Sequence, residues 1–473
     1  MEIHVKNILK LNSKIKNLRG KKIMQIPAKF KGRYFYHFTH LDNIESIVKE
    51  GILSTNEKLK RNINHVDLAN EKIQMRRSNM DVPCEPYGKI HDYVPFYFAS
   101  TNPMLLSVLN RKNIDQPLVV FIAISIEKLL NNNVVFTNAS ANTAIAPKFF
   151  NDPEDLEQLN WELIDSKKWG TSNKEELHAR MAEVLIYKKV SIDYIDTFFV
   201  YNNYAKGKIE EIYKSNNIKM PKISYQTYEK KFYYTKFFFA DRKNQSLITG
   251  PIFLKDYFTE LQKTIIEKRN KKSSFFGAFN NIDDALEKIQ SDFCVIKELA
   301  GIYKLQTSNK VHNDNVSDHT IKVVNKIKKN EYYKRLSAID KKLVEVAAYL
   351  HDIGKGPKEK WKDGIQQVYA DHPADAVPML ERILVDEFNV LSEYEIRKIS
   401  LLVVYHDIIG DILKDDIGRS IKELYALDID QNELDMLICL GLADITSIDP
   451  MWLFSIKMKL PSFEKEVQEE MKF

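Results

Sequence analysis

Residues 346–356, VAAYLHDIGKG, give the clearest indication of the fold of the C-terminal half of this chain. The apolar run VAAYL continues a helical pattern, and Gly354 ends it, which predicts a buried helix with His351 and Asp352 at its end. Burying an imidazole beside a carboxylate is costly unless both groups bind something, so the pair predicts a site. From about residue 282 onward, apolar residues recur with the period of a helix, in stretches separated by polar segments. The second half is therefore expected to be all-α.

More His and Asp residues lie at the edges of other apolar helical stretches, in HTIKVVNKI, DHPADA, VVYHDIIGD and GLADITSID. Imidazole and carboxylate ligands without a thiolate favour hard or borderline ions, here Mn, Fe, Mg, Co or Zn in an open site. A carboxylate can bridge two ions, so a two-metal site stays open. The alternative is a set of independent capping or core histidines, which this order of residues makes the weaker interpretation. The predicted metal ligands are His319, His351, Asp352, His372, His406 and Asp444.

The sequence pattern of the N-terminal half predicts an α+β domain. Four β-branched or aromatic runs of strand length occur, and a helix ending at Gly51 precedes them. These strand runs are residues 93–99, 118–126, 183–187 and 196–201. The polar segment EKRNKKSS, residues 267–274, is the expected linker. We therefore expect a basic extension at 1–33, a first domain at 34–240, a connecting segment at 241–285 and a second domain at 286–473.

Composition narrows the classes of protein further. The 473 residues include three widely spaced cysteines, which argues against a disulfide framework and a cysteine zinc site and fits a reducing compartment. No apolar stretch reaches the roughly 18 residues of a membrane helix, and no signal sequence is evident, so a cytoplasmic protein is expected. Residues 1–33 hold ten basic residues and one acid, a charge of +9 in a chain of +5.

Within this basic arm, residues 1–33, the sequence pattern predicts an amphipathic helix over residues 1–20. Its charge suits nucleic acid or an anionic membrane, and a solvated helix end is an equally good interpretation. If the arm holds DNA, its deletion should flatten the salt dependence of oligonucleotide binding; an unchanged slope would exclude that role.

The residues of the first half that suggest chemistry lie on two segments. In YHFTHLDNIESIVKEGI, residues 36–52, a strand ends in His and Thr before a helix, where a ribose or carboxamide could bind. In MAEVLIY, residues 181–187, Glu183 lies within an apolar strand. Such a carboxylate either faces water or is held in a cleft for catalysis.

These segments, with IQMRR (73–77), HDYVPFYFASTNPML (91–105), VVFTNASA (134–141) and FFNDPEDLEQLNWELI (149–164), resemble the DarT family of NAD-dependent DNA ADP-ribosyltransferase toxins. The resemblance spans about residues 33–234, and DYVPFYF…PML is its most specific part. It implies an ADP-ribosyltransferase fold, a split β-sandwich with a NAD cleft, and transfer of ADP-ribose to a base, commonly thymine, in single-stranded DNA. A toxin or phage-defence role is implied too, with a separate antitoxin as a candidate partner.

Position by position, the resemblance places the catalytic glutamate at Glu183. The NAD-contacting strand and turn fall on His37, Phe38, Thr39 and Asn43. The catalytic arginine falls on the Arg76–Arg77 pair, and the spacing leaves both open.

The neighbouring His40 is interpreted only as a helix cap. The implied reaction expels nicotinamide through an oxocarbenium-like state, with Glu183 stabilising positive charge and a Glu or Arg accepting the proton of thymine N3. The family more often has an acidic residue and a His where this chain has Asn138 and Ser140, near the expected DNA-facing loop.

Over about residues 290–460 the second half resembles HD-domain metal-dependent phosphohydrolases, most of all the hydrolase domain of the uridylyltransferase/uridylyl-removing enzyme. The six predicted ligands fall on its motif, and Lys355 falls where the superfamily often places a phosphate-contacting lysine. The chemistry implied is metal-assisted hydrolysis of a phosphoester.

Three functions follow from the two resemblances. The leading one is a fusion of a DNA ADP-ribosyltransferase with an HD phosphohydrolase that regulates or counteracts it. A second is a nucleotide phosphohydrolase with a degenerate nucleotide- or DNA-binding N-terminal module, and a third is a protein whose two halves only sense nucleotides. The joint presence of Glu183, His37 and an arginine candidate speaks against degeneracy.

Overall fold

A computed structural model of the chain describes residues 25–68, 71–130, 133–141, 146–168, 173–227, 229–238, 243–308, 314–367, 370–414, 419–448 and 450–471. Most of the basic arm, including the predicted helix at 1–20, lies outside the described residues. The chain divides into two compact units. The first comprises Met1–Met104 and Pro117–Tyr233, and the second comprises Leu105–Gln116 and Tyr234–Phe473.

The first unit is built on a sheet of eight strands. They are β1 (Tyr34–His40), β3 (Tyr93–Tyr97), β4 (Val119–Ser125), β5 (Val134–Thr137), β6 (Phe149–Phe150), β7 (Glu183–Tyr187), β9 (Thr197–Val200) and β10 (Lys222–Tyr225). Their order in the sheet is β10-β9-β4-β1-β3-β7-β5-β6, and all four strand runs expected from the sequence are strands here. A separate pair joins β2 (Ile52–Leu53) to β8 (Lys189–Val190).

The sheet opens between its two central strands. β1 pairs with β4 along its whole length, but it pairs with β3 at one position only, Tyr36 opposite Tyr97. Since β3 also pairs with β7 over five residues, the sheet consists of two well-paired four-stranded halves that meet at this point. Polar side chains of β1 beyond Tyr36 lie beside the opening.

The helices of this part of the chain are α1 (Ile44–Glu50), α2 (Thr55–Lys60), α3 (Glu71–Asn79), α5 (Trp161–Ile164), α6 (Lys174–Ala179) and α7 (Asn203–Ser215), and α4 (Pro103–Asn110) crosses the boundary of the units. Of these, α1, α5 and α7 contribute apolar residues to the core of the sheet. The helix predicted to end at Gly51 does so. Gly51 has φ 78°, and a Cβ there would lie 2.5 Å from the carbonyl oxygen of Val190, so only glycine fits this close approach.

The second unit is helical around a large apolar core, as the periodicity of the sequence predicts. Its helices are α8 (Pro251–Lys271), α9 (Ile282–Ser291), α10 (Lys297–Ile302), α11 (Val316–Ile327), α12 (Glu331–Arg335), α13 (Ala338–Leu350), α14 (His372–Arg382), α15 (Glu393–Val404), α16 (Ile408–Leu413), α17 (Ile421–Tyr425), α18 (Gln431–Ile448) and α19 (Pro450–Met471). Two short strand pairs accompany them: β11 (Thr235–Phe238) pairs antiparallel with β12 (Lys243–Ser246), and β13 (Gln306–Thr307) pairs parallel with β14 (Ile365–Gln366). No helix among the described residues has the length and apolar character needed to cross a membrane.

The segment Leu105–Gln116 comes from the middle of the first half of the sequence, yet it belongs to the second unit. The ammonium of Lys112, which is buried, lies 2.7 Å from a carboxylate oxygen of Asp407. The carboxylate of Asp115 accepts hydrogen bonds from the backbone N–H groups of Ile252 and Phe253, and so caps the first turn of α8. Polar contacts thus fix this segment within the helical unit.

The expected linker is not a linker in the structure. Residues 267–271 form the last turn of α8, and the guanidinium of Arg269 donates to the carbonyl oxygens of Leu384, Phe388 and Asn389. Buried residues of α8 such as Phe258 and Ile265 belong to the core of the second unit. The expected connecting segment at 241–285 is therefore largely part of that unit. The charged composition of residues 267–274 suggested a solvated linker. In the structure, cations of this segment such as Arg269 bind backbone carbonyls instead.

Candidate functional site

The candidate site of the first unit contains an ion pair between Arg77 of α3 and Glu183 of β7. Both guanidinium Nη atoms of Arg77 donate to Glu183, each at 2.9 Å from one carboxylate oxygen. Glu183 is fully buried and Arg77 is 7% exposed, so the pair is shielded from water. Burial lowers the pKa of Arg77, but the adjacent Glu183 carboxylate outweighs burial and raises it, so Arg77 stays a cation. A bidentate, buried pair fixes the position of both groups.

Three further groups hold Glu183 from the neighbouring strand and the turn that follows it. The backbone N–H of Ala141 donates to its Oε1 at 2.8 Å, and the hydroxyl of Ser140 lies 3.4 Å from the same oxygen. The hydroxyl oxygen of Thr137 accepts the backbone N–H of Glu183 at 3.1 Å. Neither Thr137 nor the Ala141 backbone was predicted from the sequence. No sequence signal identifies a backbone donor, because every residue except proline carries one.

The two residues that depart from the family pattern, Asn138 and Ser140, have different surroundings. Ser140 is fully buried against the carboxylate of Glu183. The side-chain oxygen of Asn138 accepts the backbone N–H of Lys148. The departure from the family pattern at residue 140 therefore lies beside the candidate catalytic group.

The two arginines left open by the sequence have different positions. Arg77 faces Glu183, whereas Arg76, one residue earlier on α3, lies on the exposed side of the helix. A helix turns by about 100° per residue, so adjacent residues cannot share a face. The geometry favours Arg77 as the functional arginine.

His37 lies where the sheet opens. Its Nδ1 is 2.8 Å from the carbonyl oxygen of Pro95 on β3, and because a carbonyl only accepts, Nδ1 carries the proton. Burial lowers the pKa of His37 to about 4, despite the opposing effect of this hydrogen bond. The ring is therefore neutral at pH 7, with Nε2 as an acceptor available to a ligand donor group.

This low pKa predicts an acid-sensitive contribution to stability. The unfolded His37 takes up a proton near its ordinary pKa of 6.5 while the folded ring stays neutral until about pH 4. Its contribution to folding should be complete above pH 6.5 and be lost as pH falls towards 4. Comparing the Tm of wild type and His37→Asn at pH 7.5 and 4.5 checks this. Wild type should lose more stability than the variant on acidification, and equal losses would contradict the assignment.

The other predicted residues of the first motif lie close to His37. The hydroxyl of Thr39 accepts a hydrogen bond from the side-chain amide of Asn43 at 3.0 Å, and that amide also bonds the backbone N–H and carbonyl of Val66. Asn43 therefore joins the strand to the loop at Val66. His40 caps the turn that follows, since its Nδ1 accepts the backbone N–H of Asp42. Phe38 stacks on the ring of Tyr97, whose strand position is directly opposite Glu183.

The second unit brings all six predicted metal ligands together in two groups. The first group is His319, His351 and Asp444, and the second is Asp352, His372 and His406. Within each group the nearest ligand atoms lie within 4.8 Å of one another. Asp352 connects the groups, because its Oδ2 is 3.4 Å from Nε2 of His351 and its Oδ1 is 3.4 Å from Nε2 of His372. The ligand set therefore suits either one ion or two ions that share Asp352.

Hydrogen bonds fix which nitrogen of two histidines faces the centre. Nδ1 of His351 donates to the carbonyl of Ala348, and Nδ1 of His406 donates to that of Val403. Their Nε2 atoms therefore carry lone pairs, as metal ligands must. Nε2 of His351 and Oδ1 of Asp352 are buried without a hydrogen-bond partner. Such buried acceptors cost free energy, and a divalent cation among them would satisfy both.

The charge states agree with this interpretation. Burial raises the pKa of Asp352, but His351 and Lys355 outweigh burial and hold it well below its usual range. Burial lowers the pKa of His351 to about 4. The carboxylate is thus ionised and the imidazole neutral at pH 7, the forms that bind metal. Lys355 lies 2.7 Å from Asp352 Oδ2, beside the two ligand groups.

Comparisons with known proteins give matches in both halves of the chain. Residues 36–234 match the family described as ssDNA thymidine ADP-ribosyltransferase, DarT, and residues 316–412 match the HD domain. A DNA ADP-ribosyl transferase of Thermus sp. (strain 2.9) is 29% identical over 184 residues, which are 38% of this chain and 86% of that protein. A bifunctional uridylyltransferase/uridylyl-removing enzyme of Cereibacter sphaeroides is 27% identical over 169 residues, 33% of this chain and 17% of that protein.

Among solved structures, Thermus sp. 2.9 DarT in complex with ADP-ribosylated ssDNA aligns at 26% identity and a TM-score of 0.38. The alignment covers 43% of this chain and 97% of that one. Both resemblances seen in the sequence are thus confirmed, each by a family match over its own half. The chain carries a DarT domain, of the ssDNA ADP-ribosyltransferase family, at residues 36–234 and an HD domain at residues 316–412.

Proposed function

We propose that the first unit transfers ADP-ribose from NAD to thymine in single-stranded DNA. The observation that carries the proposal is the buried Arg77–Glu183 pair, whose glutamate is opposite Tyr97, the residue of β3 at which the two halves of the sheet meet. The two halves of the sheet would then be the two layers of a split β-sandwich, with the NAD cleft where they part. The match to the DarT family, described as ssDNA thymidine ADP-ribosyltransferase, supports the acceptor and the transferred group.

Each residue of the cleft has a role that its geometry supports. Nε2 of His37 accepts a hydrogen bond from a hydroxyl or amide of NAD, because its Nδ1 proton is committed to Pro95. Glu183 stabilises the positive charge that develops on the ribose as nicotinamide leaves. While Arg77 is paired with Glu183 it is a cation, so Glu183 is the group of the pair that accepts a proton from thymine. A base role for Arg77 would require the substrates to separate the pair.

The direct test is to incubate the full chain with NAD and short single-stranded oligonucleotides and to measure their masses. An oligonucleotide that contains thymine should gain the mass of one ADP-ribose, and one without thymine should not. Modification of the thymine-free oligonucleotide would overturn the choice of base. No modification of any oligonucleotide would overturn the proposed transferase.

The adjacent arginines provide a matched pair of variants. Arg77→Lys should lower transfer by about a hundredfold, because one ammonium cannot form the two parallel hydrogen bonds to Glu183. Arg76→Lys, the same change on the exposed side of α3, should have little effect. Rates of transfer to a labelled oligonucleotide at saturating NAD measure both. A larger loss for Arg76→Lys would reverse the assignment.

We propose that the second unit is a divalent-metal phosphohydrolase. His319, His351, Asp352, His372, His406 and Asp444 would hold one or two ions. A divalent ion, when bound, supplies an activated water and a charge that stabilises the phosphoester oxygens. Lys355 would pair with a substrate phosphate once its partner Asp352 is engaged by metal. The unpartnered acceptors on His351 and Asp352 are the main support.

We further propose that the two activities are linked as toxin and restraint. A DNA-modifying transferase harms the cell that makes it, and a hydrolase in the same chain can counteract or gate it, for example by cleaving a phosphoester of ADP-ribose. A separate antitoxin is the alternative source of restraint. The growth phenotype of a metal-site variant tests restraint by hydrolysis.

A further inference from the structure

The loop after α2 joins a lysine to the end of the first motif. Nζ of Lys58, on α2, donates to Nε2 of His65 at 2.8 Å. The next residue, Val66, is held through both of its backbone polar groups by the side chain of Asn43, which also donates to the hydroxyl of Thr39. A continuous series of contacts therefore connects Lys58 to two of the candidate NAD-binding residues.

The ammonium of Lys58 is contacted by no carboxylate among the residues that the structure describes. An ammonium only donates, so His65 accepts the hydrogen bond as a neutral ring and supplies no counter-charge. Burial lowers the pKa of Lys58, and the more distant Asp67 opposes this effect. Lys58 is thus a half-buried cation that has lost part of its hydration, which favours the binding of an anion.

Two histidine rings lie within the electrostatic influence of Lys58. Burial is the main cause of the low pKa of His37, and the positive charge of Lys58 lowers it further. The pKa of His91 is lowered by burial, by Arg77 and, less strongly, by Lys58, against the opposing effect of Asp92. The ammonium therefore acts on the ring proposed to bind NAD, and on a second ring that the candidate catalytic arginine also influences.

The short helix that carries Lys58 is fixed at its beginning. The hydroxyl of Ser54 accepts the backbone N–H of Glu57, and the backbone N–H of Ser54 donates to the carbonyl of Lys188. The side-chain amide of Asn56 donates to Asp92 at 2.7 Å. Lys58 is therefore held in position before any ligand binds, which lowers the entropy cost of binding.

We propose that Lys58 binds the pyrophosphate of NAD. The proposal rests on the proposed transferase function and adds a donor-binding residue to it. The pyrophosphate is a dianion, and Arg77 cannot pair with it while both of its Nη atoms bind Glu183. A phosphate of the DNA backbone has the same chemistry as a ligand. The connection of Lys58 to Thr39 and Asn43, which the family resemblance assigns to NAD, favours the pyrophosphate.

The Kd of NAD for the full chain without DNA, measured by calorimetry, tests the proposal. Lys58→Met should raise this Kd roughly tenfold or more, as expected for the loss of a charge-assisted hydrogen bond. Lys58→Arg keeps the charge and should retain most of the affinity. Lys60→Met, the same change at the exposed end of α2, should leave the Kd unchanged.

Salt dependence separates a lost charge contact from a disturbed fold. The Kd of wild type should rise with salt, because ions screen the attraction between the ammonium and the pyrophosphate. This rise should be smaller in Lys58→Met. A disturbed fold would instead raise the Kd by the same factor at every salt concentration, and that result would overturn the role of Lys58.

Other outcomes distinguish this proposal from the transferase itself. An unchanged Kd in Lys58→Met would overturn the role of Lys58, as would equal losses in Lys58→Met and Lys60→Met or a failure of wild type to bind NAD. If Lys58→Met weakens only the binding of a single-stranded oligonucleotide, measured without NAD, the ligand is the DNA backbone and the proposal is wrong. If wild type binds NAD through Lys58 but modifies no oligonucleotide, the transferase function fails and the pyrophosphate site stands.

Discussion

Replacing Glu183 by glutamine is expected to reduce transfer of ADP-ribose to DNA by a factor of about a thousand. The change removes the negative charge that stabilises the developing cation on the ribose, in a site shielded from water. It leaves the shape of the side chain almost unchanged. The transfer rate, measured by mass spectrometry of the oligonucleotide, reports the loss, and normal transfer by the variant would remove Glu183 from the reaction.

The same variant should also be less stable. Arg77 would be left as a buried cation without its counter-charge, which costs on the order of 3–5 kcal/mol. A reduced Tm therefore accompanies the loss of activity. Glu175→Gln, the same change on the exposed first turn of α6, is the matched control and should alter neither property. Activity measured well below the lowered Tm separates the chemical effect from unfolding.

Replacing Asp352 by asparagine should remove most metal from the second unit. Asp352 lies between both ligand groups, so its loss weakens each of them. His319→Ala affects only the first group and should retain an ion in the second. Metal content per chain, measured by elemental analysis after dialysis, distinguishes these cases. Equal metal content in wild type and Asp352→Asn would contradict the site, and complete loss in His319→Ala would show that the groups hold one ion together.

Two controls complete this experiment. Asp283→Asn changes an exposed aspartate on the first turn of α9 and should leave metal content unchanged. The growth of cells expressing each variant then tests restraint. If hydrolysis counteracts the transferase, Asp352→Asn should be more toxic than wild type while Glu183 is intact. If the variant is harmless, the second unit is required for toxicity and the restraint proposal is wrong.

Much of the fold follows from local sequence pattern. The strands at residues 93–97 and 183–187 and the helix that ends at Gly51 were predictable, because periodicity and turn chemistry act over a few residues. The expected linker at 267–274 was wrong because its cations find partners more than a hundred residues away, such as the carbonyl of Leu384 bound by Arg269. Local composition carries no information about such partners.

The two sites differ in how far the sequence alone could define them. The sequence predicts all six metal-ligand candidates, since each lies at a recognisable helix edge, and the structure brings them together. For the transferase, the resemblance supplied Glu183 but left Arg76 and Arg77 open. The structure favours Arg77 because Arg77 lies on the side of α3 that contacts Glu183 on β7. Likewise Thr137 and the Ala141 backbone have a role only through their distance from Glu183.

The segment Leu105–Gln116 has a consequence for modularity. Its neighbours in sequence belong to the transferase unit, but its own packing belongs to the helical unit. A gene fragment ending at residue 233 would therefore encode Lys112 without Asp407 and Asp115 without the helix that it caps. Neither half corresponds to one uninterrupted stretch of coding sequence. An exchange of the first unit by recombination would therefore have to keep Leu105–Gln116, which packs with the second unit.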